Sequence, residues 1–502
     1  MRNMMRVGIV GGGPAGLTLA ATLRREATKA APFEITVLER GSAGRDQGSG
    51  WDLSKTAQEA LARAGVDVPA VQRRGSDTMR MFKVTNDARP ETCMRWPNSL
   101  AKLGLKKDQV LEGINPETSR NEIIRRLIAA ATTHSDGGSG SVTVRHDCNV
   151  STARRTNDGR GVEILGRNGD SYGTYDVVVD ASGIASRLRH CRFSEAADAF
   201  YTGRTIVQGI VSSPEKSWDP RLTSRLGEGT LIVAGPAASG TGIEQWLAQR
   251  YGAALEDQHT NISLFCFTEG PNDIPSLLKL EGLHGITSDK DAVKATMDYC
   301  VQRLSHEDWP EMYRDAFRAA ESIRVLPVFM HPMAEVAYAH AVPDSEDLSV
   351  IGIGDALHAL PPWSGTSGNY ALTDATELAT ALLKLREGTE GTCTQEQIAA
   401  VLREQEAAFL KRADGPRERC MQVRKISERV AKEMNLRDFS WEDLFLGTEA
   451  KERSWFDLKS LFVIGFVRGI TFLNRLENYG IQPPKHEASA AARAAAEEPA
   501  AQ

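Results

Sequence analysis

Val7-Gly8-Ile9-Val10-Gly11-Gly12-Gly13-Pro14-Ala15-Gly16 decides how this chain is read. A short apolar strand runs into a glycine-rich turn, and Pro14 to Glu26 continues as a helix with Leu17, Ala20, Ala21 and Leu23 on one side. Phe33 to Leu38 is a second strand, completing a βαβ unit of the kind from which parallel sheets are built. The turn has G-x-G-x-x-G spacing. Gly11 permits the tight bend, Gly13 lets the backbone approach a pyrophosphate, and Gly16 lets helix and strand pack closely; the helix start at Pro14 and Ala15 turns a positive dipole toward phosphate. Glu39, followed by Arg40, ends the second strand roughly 20 residues on, where an acidic side chain binds a ribose. A glycine-rich turn alone is a weak sign, but strand, helix and acid all in place make this a dinucleotide site.

Two further apolar runs, Tyr175 to Asp180 and Leu348 to Ile353, read as strands covered on both faces, so the nucleotide domain is assembled from distant pieces. Between them, Thr205 to Val211, Thr230 to Ala234 and Asn261 to Phe267 are strand-like, and Asp289 to Arg303 and Glu311 to Ala320 are helical. Thr56 to Ala64, Glu117 to Thr132 and Leu372 to Arg386 also read as helices. Residues 395–480 are charge-rich and helical in pattern, with turn signals at Gly415-Pro416 and Gly447. The tail from Ala488 is too poor in large apolar groups to pack.

Val179-Asp180-Ala181-Ser182-Gly183-Ile184-Ala185-Ser186-Arg187-Leu188-Arg189 is a strand emptying into a small-residue turn, and alone it reads equally as an ordinary strand-to-helix connection. Gly354-Asp355-Ala356-Leu357-His358-Ala359-Leu360-Pro361-Pro362-Trp363-Ser364-Gly365-Thr366-Ser367-Gly368-Asn369 is longer and more specific. Asp355 at a strand end suits a hydroxyl of a ribityl chain. Gly365 to Asn369, at a helix start, would offer N–H groups to an electron-rich ring edge, with Pro361-Pro362-Trp363 as a rigid apolar wall.

These three motifs, in this order, resemble the group A flavoprotein monooxygenases typified by p-hydroxybenzoate hydroxylase, over roughly residues 5 to 390. Arg45 to Val66, especially Gly48-Ser49-Gly50-Trp51-Asp52-Leu53, is most similar to the tetracycline-inactivating branch. The resemblance implies an α/β fold. Its Rossmann-like FAD-binding domain comes from 1–190 and 325–394, with part of 70–115 open to joining an inserted β-sheet (α+β) substrate domain at 191–324. A helical extension (395–485) and a disordered tail (486–502) complete the chain.

The resemblance also implies FAD and NAD(P)H as cofactors, with a flavin C4a-hydroperoxide made from O2 hydroxylating a small aromatic or polyketide-like molecule of secondary metabolism. Besides the Gly11–Gly16 loop, the FAD contacts it implies are Glu39, Arg40, Asp52, Arg120, Asp355, Pro362, Gly365, Gly368 and Asn369. Gln208 matches a substrate-contacting glutamine, against the alternative of a polar residue on a strand's outward face; Arg120 has the donor fork that suits a diphosphate or ribityl contact, against that of a surface charge. No side chain need act as nucleophile, and His358 is assigned no catalytic role.

Ser182-Gly183 replaces the Asp-Gly usual in the second motif, and Ser367 stands where a glycine is common. The arginine that binds substrate in tetracycline-inactivating enzymes has no counterpart; Gly227-Glu228-Gly229-Thr230 occupies that region, so tetracycline itself is disfavoured. Rival readings are a flavin dehydrogenase or reductase without oxygen insertion, and a non-catalytic FAD-binding protein. A flavin halogenase is disfavoured because its lysine and Trp-x-Trp-x-Ile-Pro arrangement is missing.

Composition agrees. With 60 Lys+Arg against 66 Asp+Glu, the chain lacks the basic excess of nucleic-acid binders. Seven cysteines with no C-x-x-C suggest neither a disulfide framework nor a metal site and fit a reducing cytoplasm. Met1 to Arg6 leads into the glycine turn rather than a signal peptide. Leu461 to Val467 falls short of the roughly 20 apolar residues of a membrane span and reads as a buried or dimer-facing helix in a monomer or homodimer.

Overall fold

The computed structural model describes residues 4–29, 31–44, 50–72, 79–84, 91–96, 117–133, 140–252, 259–280, 286–343, 348–389 and 392–434. In chain order its main elements are β1 (Met5–Val10), α1 (Pro14–Glu26), β2 (Phe33–Leu38), α2 (Lys55–Arg63), β3 (Met79–Lys83), β4 (Glu91–Trp96), α3 (Arg120–Thr132), β5 (Ser141–Arg145), β6 (Val150–Arg155), β7 (Val162–Gly166), β8 (Ser171–Tyr175) and β9 (Val177–Asp180). There follow β10 (Phe200–Val211), β11 (Thr230–Pro236), β12 (Ile243–Tyr251), β13 (His259–Phe267), α4 (Lys290–Arg303), α5 (Glu311–Arg318), β14 (Ser322–Met330), β15 (Val350–Gly352), α6 (Ser367–Gly388) and α7 (Gln395–Lys432).

β15-β9-β1-β2-β5 form a five-stranded sheet in which every pair is parallel. Alternation along the strands explains its two covered faces. Val7, Ile9, Val177 and Val179 join a core with α1, α2, α3 and α6, whereas Val10, Val178 and Val350 point the other way, against Ile164 and Tyr175 of the antiparallel β6-β7-β8 sheet. Each fully buried aliphatic side chain there contributes about 1.5–3 kcal/mol. This is the discontinuous Rossmann-like domain expected from the motifs.

The second sheet has seven strands, β14-β10-β13-β12-β11-β3-β4. Val207, Leu264, Trp246 and Val233 pack one face against α4 and α5, with Tyr313 edge-on to both Trp246 and Trp309. β3 and β4 belong to this sheet, which fixes where residues 79–83 and 91–96 go. The domain boundary expected at 325 falls within β14, which pairs with β10 from Phe200/Met330 to Ile210/Ser322, so the seven-stranded sheet runs to residue 330.

Gly415-Pro416 does not break the last helix either. Pro416 lies inside α7, and the neighbouring buried Arg417 donates to Asp414 at 2.7 Å. Gly447, Leu461 to Val467 and the tail lie outside the described residues. Among the described residues no helix is long and apolar enough to cross a membrane.

Candidate functional site

The glycines of the first turn divide by function. Gly11 has φ +113°, and a Cβ there would run into the Ala181 carbonyl next to β9; one at Gly16 would run into the Gly11 carbonyl. Both are demanded by packing. Around a Cβ at Gly13 nothing lies within 4 Å, so the missing side chain leaves open space in front of α1. Gly13 is the N-cap of α1, with no side-chain cap and no acidic residue in the first turn to offset the helix dipole. Glu39 borders this space, its two carboxylate oxygens accepting from Gly12 N and Gly41 N at 2.7 Å each. Arg40 is exposed.

Ser119 caps α3 and places Arg120 as its first residue, pointing inward. Arg120 Nε is buried without a hydrogen-bond partner. Burial lowers the guanidinium pKa, opposed by the carboxylates of Asp355 and Glu39. The surface-charge alternative for Arg120 is therefore corrected. A fork with an unmade bond at its buried Nε, between the glycine turn and the third motif, fits the diphosphate of a dinucleotide.

The third motif is gripped from several sides. Gly354, at φ +58°, donates its N–H to Asp374 Oδ2 at 2.9 Å, and Ser367 Oγ donates to Asp355, so the serine departure supplies a partner for the motif's carboxylate. Arg189, buried, donates to Leu357 O at 2.7 Å and Ala197 O at 3.1 Å. Ser182 and Ser186 both donate to Asp180, so the second departure satisfies a carboxylate whose pKa burial pushes up.

Asn369 accepts from Ser54 N at 2.9 Å and donates to Asp52 O at 3.1 Å and Gly365 O at 3.0 Å. Its amide thus works between two loops, a positioning role within the site. Pro362, Gly365 and Gly368 line the exposed rim of the loop, and Trp51 packs on Gly368.

Facing this loop is the other side of the seven-stranded sheet. Gln249 Nε2 donates to Asp52 Oδ1 at 3.0 Å across the junction, and burial pushes the Asp52 carboxyl up to about 6. The Arg204 guanidinium lies 4.6 Å from the Phe267 ring centroid and 5.4 Å from that of Trp363, and it donates to Gln245 Oε1 at 3.3 Å. Gln208 is buried, not outward to solvent: it donates to Ser263 Oγ at 3.3 Å and accepts from Arg324 at 2.8 Å. Arg204, Arg324, Gln245 and Gln249 were not identified from the sequence. Their signal is a polar residue at even spacing in otherwise apolar strands, which shows a shared face only once the register is known.

A cavity of about 400 Å³ lined by Met5, Asp176, Arg386, Cys393 and Gln395 lies at the N-terminal ends of β1 and β9. Ligands of open α/β sheets bind at the opposite, carboxyl ends, where the glycine turn and third motif meet. Among the described residues no group of three or more His, Cys, Asp or Glu could hold a metal ion.

Residues 9–44 match the NAD(P)-binding Rossmann-like domain family. The chain is 24% identical over 404 residues to the monooxygenase asqM of Emericella nidulans, covering 76% of this chain and 84% of that protein. It is 26% identical to a probable 2-heptyl-3-hydroxy-4(1H)-quinolone synthase, AqdB2, of Rhodococcus erythropolis, over 78% of this chain and 83% of the relative. Among solved structures, 2,6-dihydroxypyridine-3-hydroxylase of Arthrobacter nicotinovorans superposes with a TM-score of 0.60 at 16% identity, over 85% of this chain and 93% of that one. HpxO of Klebsiella pneumoniae, complexed with FAD and uric acid, gives 0.57 at 16% identity, over 93% and 96%. The orphaned Arg120, the open space at Gly13 and the gripped Asp355 turn fit FAD, and over three quarters of its length the chain is similar to FAD-dependent monooxygenases.

Proposed function

We propose that the chain hydroxylates a small, electron-rich aromatic or polyketide-like molecule, using NAD(P)H and O2. The observation that carries this reading is the apposition of the polar sheet face, Arg204, Gln208 and Gln245, to the Trp363 loop of the FAD-binding domain. FAD, when bound, supplies the hydride acceptor and the oxygen chemistry. The protein binds, orients and shields.

Gly13, the α1 N-terminus and Arg120 would hold the diphosphate, Glu39 the adenosine ribose, and Asp355 the ribityl chain. Pro361 to Trp363 would wall the ring and exclude water, and Asn369 keeps that loop against Asp52. Gln208, braced by Ser263 and Arg324, would orient the substrate. Asp52, with its carboxyl near 6, can hold a proton beside the site.

The relatives support the family as a whole rather than its tetracycline-inactivating branch. Two carry names that specify aromatic chemistry, the quinolone synthase AqdB2 and a 3-amino-4-hydroxybenzoate 2-monooxygenase, PtnB3, of Streptomyces platensis. A cytoplasmic setting and a monomer or homodimer belong to the same proposal.

The test is NADH and NADPH oxidation by the FAD-loaded protein under ¹⁸O2, with phenols, hydroxybenzoates and hydroxyquinolones. Stimulated oxidation with one ¹⁸O in the product is the expected result. Substrate turnover without oxygen would replace the reading with a dehydrogenase.

A further inference from the structure

Asp374 of α6 is fully buried, yet three donors converge on it. Its Oδ2 accepts from Gly354 N at 2.9 Å and from His358 Nε2 at 2.6 Å, and its Oδ1 accepts from Arg412 of α7. Arg412 spans two carboxylates, reaching Glu377 at 2.7 and 2.8 Å, and its guanidinium lies 5.6 Å from the Tyr370 ring centroid and 5.2 Å from that of Phe409. Burial alone would raise the Asp374 pKa; His358, Arg412 and the Gly354 N–H together hold it below the ordinary value.

We propose that Arg412 is a positioning residue for the Gly354–Asp355 turn, which makes the C-terminal helix part of the FAD site; the proposal rests on the flavin reading above. Gly354 sits at positive φ and its N–H is held by Asp374 of α6, so the carboxylate's orientation fixes where Asp355 points. Arg189 holds the far end of the same short helix through the Ala356 and Leu357 carbonyls. Without Arg412, the buried carboxylate loses its guanidinium partner and keeps only the His358 and Gly354 donors, and a reoriented Asp374 releases Gly354. Glu377, on the other limb of the fork, is partly exposed and touches no residue of the turn.

FAD dissociation constants, from quenching of flavin fluorescence, and apoprotein melting temperatures are to be measured for wild type, Arg412→Met, Arg412→Lys, Asp374→Asn and Glu377→Gln. Arg412→Met and Asp374→Asn should each weaken FAD binding at least about tenfold, with the double variant no weaker than the worse single one, since both act through one link. Glu377→Gln should stay within about twofold, and Arg412→Lys should fall between. An apoprotein melt lowered by Arg412→Met with FAD affinity unchanged would overturn the proposal, leaving a structural brace. If Arg412→Met does not fold, Arg412→Lys decides by the same comparison. A wild-type chain that cannot be loaded with FAD would instead sink the flavin reading itself.

Discussion

Arg204 of the seven-stranded sheet places its guanidinium over Trp363 of the third-motif loop, 5.4 Å from the ring centroid, and over Phe267 at 4.6 Å. Its Nε has no hydrogen-bond partner, and burial pushes its pKa down to about 10. Cation–π contact contributes only about 0.5–2 kcal/mol, well short of the cost of burying a charge whose hydrogen bond goes to the neutral Gln245 amide. On the proposed function, this cation would meet an anionic or phenolic group of the substrate. Arg204→Met should leave the melting temperature unchanged or raised, while substrate-stimulated NAD(P)H oxidation falls tenfold or more in kcat/KM, about 1.4 kcal/mol or above. A lower melt with unchanged kcat/KM would mark Arg204 as a structural clamp.

Asp52 gives the fold a pH dependence of definite sign. Burial raises its carboxyl to about 6, against an ordinary value of about 3.9 in an unfolded chain. Between these values the folded protein holds a proton that the unfolded chain releases. Stability is thus full below about pH 4, falls as pH rises to about 6, and stays lower above that by at most roughly 3 kcal/mol. Asp52→Asn can still accept from Gln249 and should be more stable than wild type at pH 7.5 by about 1–3 kcal/mol, the gap closing toward pH 4. Urea denaturation of both apoproteins across that range is the check; a variant less stable at pH 7.5 would show an ionised, well-paired Asp52.

Arg120 should separate cofactor binding from folding. A buried guanidinium with an unbonded Nε does little for the apoprotein, so Arg120→Met should melt within about 0.5 kcal/mol of wild type or above it. The rise in melting temperature on adding FAD should shrink in the variant, equivalent to at least a tenfold loss of affinity. An equal FAD-induced rise in both proteins would remove Arg120 from the diphosphate site.

The parallel sheet was legible because local signals coincide with it: glycine spacing, apolar runs covered on both faces, and an acid at the strand end. The third motif was legible for the same reason. The substrate face was not, because Arg204, Gln208, Gln245 and Gln249 become neighbours only through the pairing of β10, β13 and β12, and β12 was missed as a strand. The signal at Pro416 did not mark a helix end, because α7 runs through it from Gln395 to Lys432. Asp374 and Arg412, far apart in sequence and unremarkable in type, carry no local signal at all.

Gly13 and Gly16, three residues apart in one turn, should fail in different ways. A Cβ at Gly16 would enter the Gly11 carbonyl oxygen, a backbone atom that cannot step aside, so Gly16→Ala should cost the apoprotein several kcal/mol or prevent folding. At Gly13 the same methyl meets no atom of the protein within 4 Å, and Gly13 is an extended N-cap residue, where alanine is only modestly less favourable than glycine. Gly13→Ala should therefore melt within about 1 kcal/mol of wild type as apoprotein. The space it fills is the one through which the backbone would approach the diphosphate, so FAD affinity should drop at least about tenfold. Thermal melts of the apoproteins with and without added FAD check both variants. Undiminished FAD binding by Gly13→Ala would move the diphosphate away from the α1 N-terminus.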